Sequence, residues 1–231
     1  MNILAKAAFW ALDYAYIGIR QLDAGRSRAT LARYHSGDSA PIVLLPGIYE
    51  AWQFLRPVAD ALHEGGHPVH AIQALGRNRR PVADAARIAA EYLAREDLHG
   101  VILVAHSKGG LIGKYLMMSA GSRERIDRMV AIATPFSGSS LAKYTVLPSL
   151  RALSPTDPMV RLLVDEQFVN ARITSVYGAF DPHIPDGCRL PGATNVALAA
   201  SGHFRIVGDR GLISAVTAAC GDDPNVGSPH E

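Results

Sequence analysis

An α/β fold, with a mostly parallel central sheet flanked by helices, is the class this sequence predicts, and three features predict it. From residue 42 onward, short apolar runs alternate with stretches of helical periodicity, which is the pattern of βα units. One of those runs, VILVA at 101–105, is apolar throughout instead of alternating, so it needs cover on both faces and a place at the centre of a parallel sheet. The chain has 231 residues, 48% hydrophobic and 19% charged, enough to bury one core without disulfide or metal staples.

Residues 1–40 read as an N-terminal helix and lead-in. The opening MNILAKAAFWALDYAYIGIR is apolar, but Asp13 interrupts it and no small-residue cleavage site follows. The run between Lys6 and Arg20 falls short of the roughly 20 apolar residues a membrane helix wants. A helix packed on the domain of a cytoplasmic protein is the expectation. The alternative is an interfacial helix that rests Phe9, Trp10, Tyr14 and Tyr16 on a lipid surface, a peripheral membrane contact.

The main domain spans 41–220. IVLLP at 42–46 is its first strand; Phe54, Leu55, Val58 and Leu62 then fall at helical spacing until Gly65-Gly66 stops the helix. VHAIQ follows Pro68 as a second strand, and the basic loop GRNRRP leads into a helix with Val82, Ala85, Ala86, Ala89, Tyr92 and Leu93 on one face. After VILVA a helix begins directly, with Leu111, Ile112, Tyr115 and Leu116 as its buried stripe, and the strand MVAIATP ends at Pro135. Residues 136–170 hold Pro148, Pro155 and Pro158 among apolar side chains and read as a lid-like insertion with one or two short helices. RITSVYG and NVALA are the last strands, a helix around Leu212–Ala219 closes the domain, and 221–231 is a frayed tail.

A net charge of +2 and a single short basic cluster, Arg77, Arg79 and Arg80, leave no electrostatic footprint for nucleic acid. Cys188 and Cys220 lack any CxxC spacing and read as unpaired thiols. Neither a cofactor nor a metal is called for by the pattern.

The residues that carry chemistry begin where VILVA runs into Ala105-His106-Ser107-Lys108-Gly109-Gly110. A serine at a strand-to-helix junction with small neighbours is a nucleophile elbow. The turn is sharp and strained, so the residues two before and two after it approach backbone closely, and Gly or Ala alone fit there. A plain helix N-cap is the rival reading of Ser107, but an N-cap does not need Gly109 and Gly110 behind it.

A serine hydroxyl needs a base at neutral pH, and the base needs a carboxylate to orient it. Of nine histidines, the order serine, acid, histidine leaves His183, His203 and His230, the last of them in the tail. His203 lies in SGHF just past the last strand, at the end of the sheet where sites of parallel folds are built. Asp181, in GAFDPHIP, is the expected acid; Asp186 is second, and Asp157 and Asp165 belong to the insertion. His183 is too near Asp181 to be the obvious base and is a candidate for lining the pocket. Charge on a carbonyl oxygen needs preorganised donors: the Lys108 N–H after the nucleophile, and the Ile48 N–H on a loop that Gly47 frees to turn inward.

Taken in order, Leu45-Pro46-Gly47-Ile48, AHSKGG, FDPHIP and SGHF resemble the α/β-hydrolase superfamily, in its lipase and esterase branch, over roughly residues 42–219. The resemblance implies an eight-stranded type of core sheet, a Ser107, Asp181, His203 triad, and an oxyanion hole at Ile48 and Lys108. It also implies hydrolysis of a small-molecule or lipid ester through an acyl-enzyme. Two departures stand out: Pro46-Gly47 replaces the familiar His-Gly, and lysine follows the nucleophile where a neutral side chain is common. Neither removes a backbone donor. Acyl transfer to an alcohol, thioester cleavage on the same triad, and a catalytically silent binding protein are the alternatives.

The insertion supplies a surplus of apolar side chains, and Phe136, Tyr144 and Leu147 are its candidates for substrate contact; a helix pair packed on the sheet explains the same surplus equally well. Lys108 and the Arg77–Arg80 loop follow strands at one sheet edge, which suggests an anionic substrate head. A phosphate loop is rejected for GGLIGK, because the spacing is one residue short and Tyr115 stands where Ser or Thr would hold magnesium.

Overall fold

The computed structural model describes residues 10, 11, 13–18 and 28–221. Its strands are β1 (Ile42–Leu45), β2 (Val69–Ala71), β3 (Val101–His106), β4 (Ile126–Ile132), β5 (Ile173–Phe180) and β6 (Thr194–Ser201). They form one sheet in the order β2-β1-β3-β4-β5-β6, with every pairing parallel. The sheet thus has six strands among the described residues rather than an eight-stranded core.

The helices are α1 (Arg56–Glu64), α2 (Val82–Arg95), α3 (Lys108–Met118), α4 (Pro148–Arg151), α5 (Pro158–Asp165) and α6 (Arg210–Cys220). Strand side chains alternate between the two faces. Ile42, Leu44, Ile102 and Val104 pack with Val58 and Leu62 of α1 and with Leu212 and Val216 of α6. Val43, Leu45, Leu103 and Ala105 pack on the other face, with Ala85, Ala89 and Leu93 of α2 and Leu111 and Leu116 of α3. All six residues of β3 are buried, as a central strand covered on both faces must be.

This order contains one reversal. The chain leaves β1 toward β2 on one side and leaves β3 toward β4 on the other, so the loops after the two neighbours diverge and open a crevice at their carboxyl ends. The loops after β1 and β3 carry Ile48 and Ser107.

The insertion folds as a 3-10 turn over Ser140–Tyr144, then α4 and α5. It serves two purposes at once. Phe136, Leu153 and Leu163 are buried in the core, whereas Leu141, Tyr144, Val146 and Leu147 are exposed. Residues 10, 11 and 13–18 are helical, and their aromatic side chains pack on protein: Trp10 lies 4.3 Å from the His183 ring, and Tyr16 meets Phe54 edge-on at 5.9 Å. Phe9, His230 and the tail beyond Gly221 lie outside the described residues. No described helix is long and apolar enough to cross a membrane. Cys188 and Cys220 are free and buried, and burial pushes the Cys220 thiol up to about 12.

Candidate active site

Ser107 follows β3 and precedes α3 with φ 51° and ψ −123°, a left-handed backbone that a side chain adopts only under strain. Close packing enforces that turn. A Cβ on Gly109 would come within 2.0 Å of the Leu45 carbonyl oxygen, and one on Gly110 within 2.1 Å of Thr134 Oγ1. The small residues are thus a steric requirement of the elbow. The serine side chain makes no capping bond to the helix, which removes the N-cap reading.

Its hydroxyl instead meets His203, whose Nε2 lies 2.9 Å from Ser107 Oγ. On the other side of the ring, Nδ1 lies 2.7 Å from Asp181 Oδ2. A carboxylate can only accept, so Nδ1 carries the ring proton and Nε2 is free to accept from the serine. Asp181 stands directly after β5, and its Oδ1 accepts from the backbone N–H groups of His183 at 2.8 Å and Ile184 at 3.1 Å. Asp186 is committed elsewhere, accepting from the Ser140 N–H at 2.6 Å, and Asp157 caps α5. The structure therefore brings together Ser107, Asp181 and His203, and leaves Asp186 and Asp157 apart from them.

The electrostatics follow from these contacts. Burial disfavours the charged form of His203, but the Asp181 charge and hydrogen bond outweigh it, with help from Glu50 and Asp13, and the imidazole titrates above its ordinary value. For Asp181, burial pushes upward and the charge and hydrogen bond of His203 push further downward, so the carboxyl is held below its usual range. His183 is driven down to about 4, first by burial and then by the neighbouring His203.

Two cavities meet at the site. One of about 240 Å³ is lined by Ser107, His203, Trp10, Leu141, Thr145 and Leu153. The other, about 320 Å³, is lined by Ile17, Tyr49, Phe54 and Arg77. They share Tyr14, Ile48, Glu50, Leu150, His183 and Phe204, so Ile48 borders both lobes. His183 lines the pocket, as its place on the Asp181 loop suggests.

The three insertion residues picked for substrate contact fall elsewhere. Phe136 is 2% exposed within the core, while Tyr144 and Leu147 are 76% and 46% exposed and line neither cavity. Leu141, Thr145 and Leu150 of the insertion line the cavities instead. Lys108 also differs from expectation: its Nζ donates to the carbonyls of Asn78, at 2.9 Å, and Arg80. Burial lowers this lysine to about 8, and the side chain staples the basic loop rather than offering a charge to a substrate. Asn78 in turn donates to the Pro46 carbonyl at 2.6 Å, fixing the turn that bears Ile48.

Sequence reasoning missed three residues. Asp13, read only as an interruption of an apolar run, is fully buried, and its carboxylate accepts from the backbone N–H groups of His203 at 2.7 Å, Phe204 at 3.3 Å and Arg205 at 3.1 Å. A Cβ on Gly202 would approach Asp13 Oδ1 to 2.6 Å, so SGHF needs its glycine to admit this clamp. A carboxylate inside an otherwise apolar helix was the available signal. His106 and Glu50 are the other two; both are buried beside the site.

No family model matches the chain, and no curated protein matches it. Solved structures do. An extracellular α/β-hydrolase from a Paenibacillus species is 18% identical with a TM-score of 0.56, covering 80% of this chain and 100% of that one. The mature form of a lipase from Bacillus licheniformis is 18% identical at a TM-score of 0.57, covering 79% and 92%. A bromoperoxidase from Bacillus anthracis is 13% identical at 0.58, covering 80% and 92%. The chain has the α/β-hydrolase fold. Since a lipase and a bromoperoxidase share it, the reaction has to be argued from the site.

Proposed function

We propose that the chain is a serine hydrolase of carboxylic esters that works through an acyl-enzyme. The observation that carries this reading is the hydrogen-bonded line from Asp181 through His203 to Ser107, ending on a serine held at φ 51°.

In the proposed reaction, His203 Nε2 takes the proton of Ser107 as Oγ attacks the ester carbonyl. Negative charge moves onto the carbonyl oxygen, where the backbone N–H groups of Ile48 and Lys108 receive it. Lys108 opens α3, so its N–H is one of the first-turn donors that a helix leaves without an internal partner. The tetrahedral species collapses, and His203 returns the proton to the departing alkoxide. Water then enters by the same route, giving a proton to His203 as its oxygen attacks the acyl carbon; the bond to Oγ breaks, the acid leaves, and His203 returns that proton to Ser107. Asp181 keeps the proton on Nδ1 and stabilises the imidazolium without taking that proton.

Ester substrates suit the cavity better than phosphoryl or nucleotide ones, because its lining is mainly apolar, with Ser107 in the wall of the lobe that also holds His203. The acyl and alcohol arms of an ester would each occupy one lobe, with Ile48 between them. A fluorophosphonate probe tests the reading: it labels the wild type and not Ser107→Ala. An unlabelled wild type with intact fold would favour the silent binding protein.

A further inference from the structure

His106 and Glu50 have no part in the reaction as written, yet they sit directly behind it. His106 ends β3 one residue before the serine and is 0% exposed; Glu50 follows the turn after β1 and is 7% exposed. His106 Nε2 lies 2.9 Å from the backbone oxygen of His203, and Nδ1 lies 2.9 Å from Glu50 Oε2. That same Oε2 accepts from the Gly47 N–H at 2.7 Å, while Oε1 is buried without a partner among the described residues.

The His203 carbonyl can only accept, so Nε2 carries a proton. Nδ1 and Glu50 Oε2 share a second proton, and both ring nitrogens of His106 are thereby engaged. Such a buried pair is weak evidence for stability, because desolvation cancels much of the attraction. What this one supplies is geometry. It ties the Gly47 turn after β1 to the loop after β6, the edge strand that carries the base, through a residue fixed on central β3.

We propose that Glu50 and His106 are positioning residues, a single buried brace that holds the Ile48 donor and the His203 base in register about Ser107. The proposal rests on the hydrolase reading above. Glu50→Gln puts at the Oε2 position either an oxygen, which accepts from Gly47 but has no proton to share with Nδ1, or an NH2, which meets the Gly47 N–H donor to donor, so one bond of the brace opens. His106→Gln breaks the brace from its other end.

The test combines kinetics of Glu50→Gln, His106→Gln and the double variant on a nitrophenyl ester with nitrogen-15 NMR of the histidine rings. Each single change should lower kcat by about 10- to 100-fold, as expected of a small misplacement of reacting groups. KM should stay within about twofold, and the double variant should be no worse than the worse single, as for residues acting as one unit. At neutral pH, both ring nitrogens of His106 should show hydrogen-bonded nitrogen-15 shifts in the wild type, and Glu50→Gln should lose one of these bonds. Unchanged kcat with only a lower melting temperature overturns the proposal, as does a double variant in which the two losses multiply. A His106 ring nitrogen without a hydrogen bond in the wild type overturns it too, even if the variants do not fold. Failure of the wild type to react with fluorophosphonate would instead remove the hydrolase reading, and the shifts of the His106 ring nitrogens would still decide whether the brace exists.

Discussion

On the sheet side of the cavity, His106, Ser107, Asp181 and His203 are at most 9% exposed, and each has a side-chain hydrogen bond to another named group. On the insertion, Leu141, Leu150 and Leu153 line the cavity, and apolar contact is what their side chains offer. The two walls follow different physics. Groups that must meet developing charge are useful only if their dipoles are already aimed, so they are buried and bonded on several sides. A wall that recognises hydrocarbon has no direction to hold, and shape with apolar area suffices.

Breaking the polar wall should have the largest effects. His203→Ala, which removes the proposed base, should lower kcat by several orders of magnitude, on the order of 10⁴-fold or more, measured with a nitrophenyl ester. Retention of near wild-type turnover would remove the histidine from the reaction. Asp181→Asn should follow, on the order of 10³- to 10⁴-fold, with a second signature in the pH profile. Asp181 raises the titration point of His203, and in the proposed reaction the neutral ring is the active form, so kcat/KM should fall as pH drops through that raised value. Without the carboxylate the acid limb should move to lower pH. A limb that stays in place would show that Asp181 does not set it.

Asp13→Ala comes next. It strips an acceptor from three backbone N–H groups of the His203 loop and should cost about 1–3 kcal/mol in unfolding free energy. Turnover should fall with it, by about 10- to 100-fold, because the base loses its support. Denaturation curves and kinetics on the same preparation separate the two losses.

The apolar wall should respond more gently. Leu150 borders both lobes, and Leu150→Ala should shift the preferred ester chain length, changing the ratio of kcat/KM between neighbouring lengths by about tenfold. Tyr144→Ser and Leu147→Ser should do least, within about 0.5 kcal/mol in stability. Turnover of a soluble ester should be unaffected. A large loss there would return these two residues to the substrate site.

The apolar periodicities named all six strands and the main helices to within a few residues, and VILVA pointed to the central strand because only a doubly covered strand can be apolar throughout. Ser107, Asp181 and His203 were legible for a related reason. A steric requirement two residues either side of a serine, and positions just past strand ends, are local properties that a linear sequence carries. The insertion was legible as apolar but not as inward or outward, since three short turns rotate side chains by amounts that composition does not record.

Alone, the sequence determined the order of elements, the elbow and the residues able to form a proton path, since these depend on neighbours along the chain. Tertiary structure decided what lies behind that path. Asp13 clamps a loop 190 residues away, and Glu50 reaches His106 across 56 residues. It also turned the Lys108 side chain onto the carbonyls of Asn78 and Arg80. Such contacts form because a buried charge must find a partner wherever the fold supplies one, and that place is set by how the layers pack rather than by what stands next in the chain.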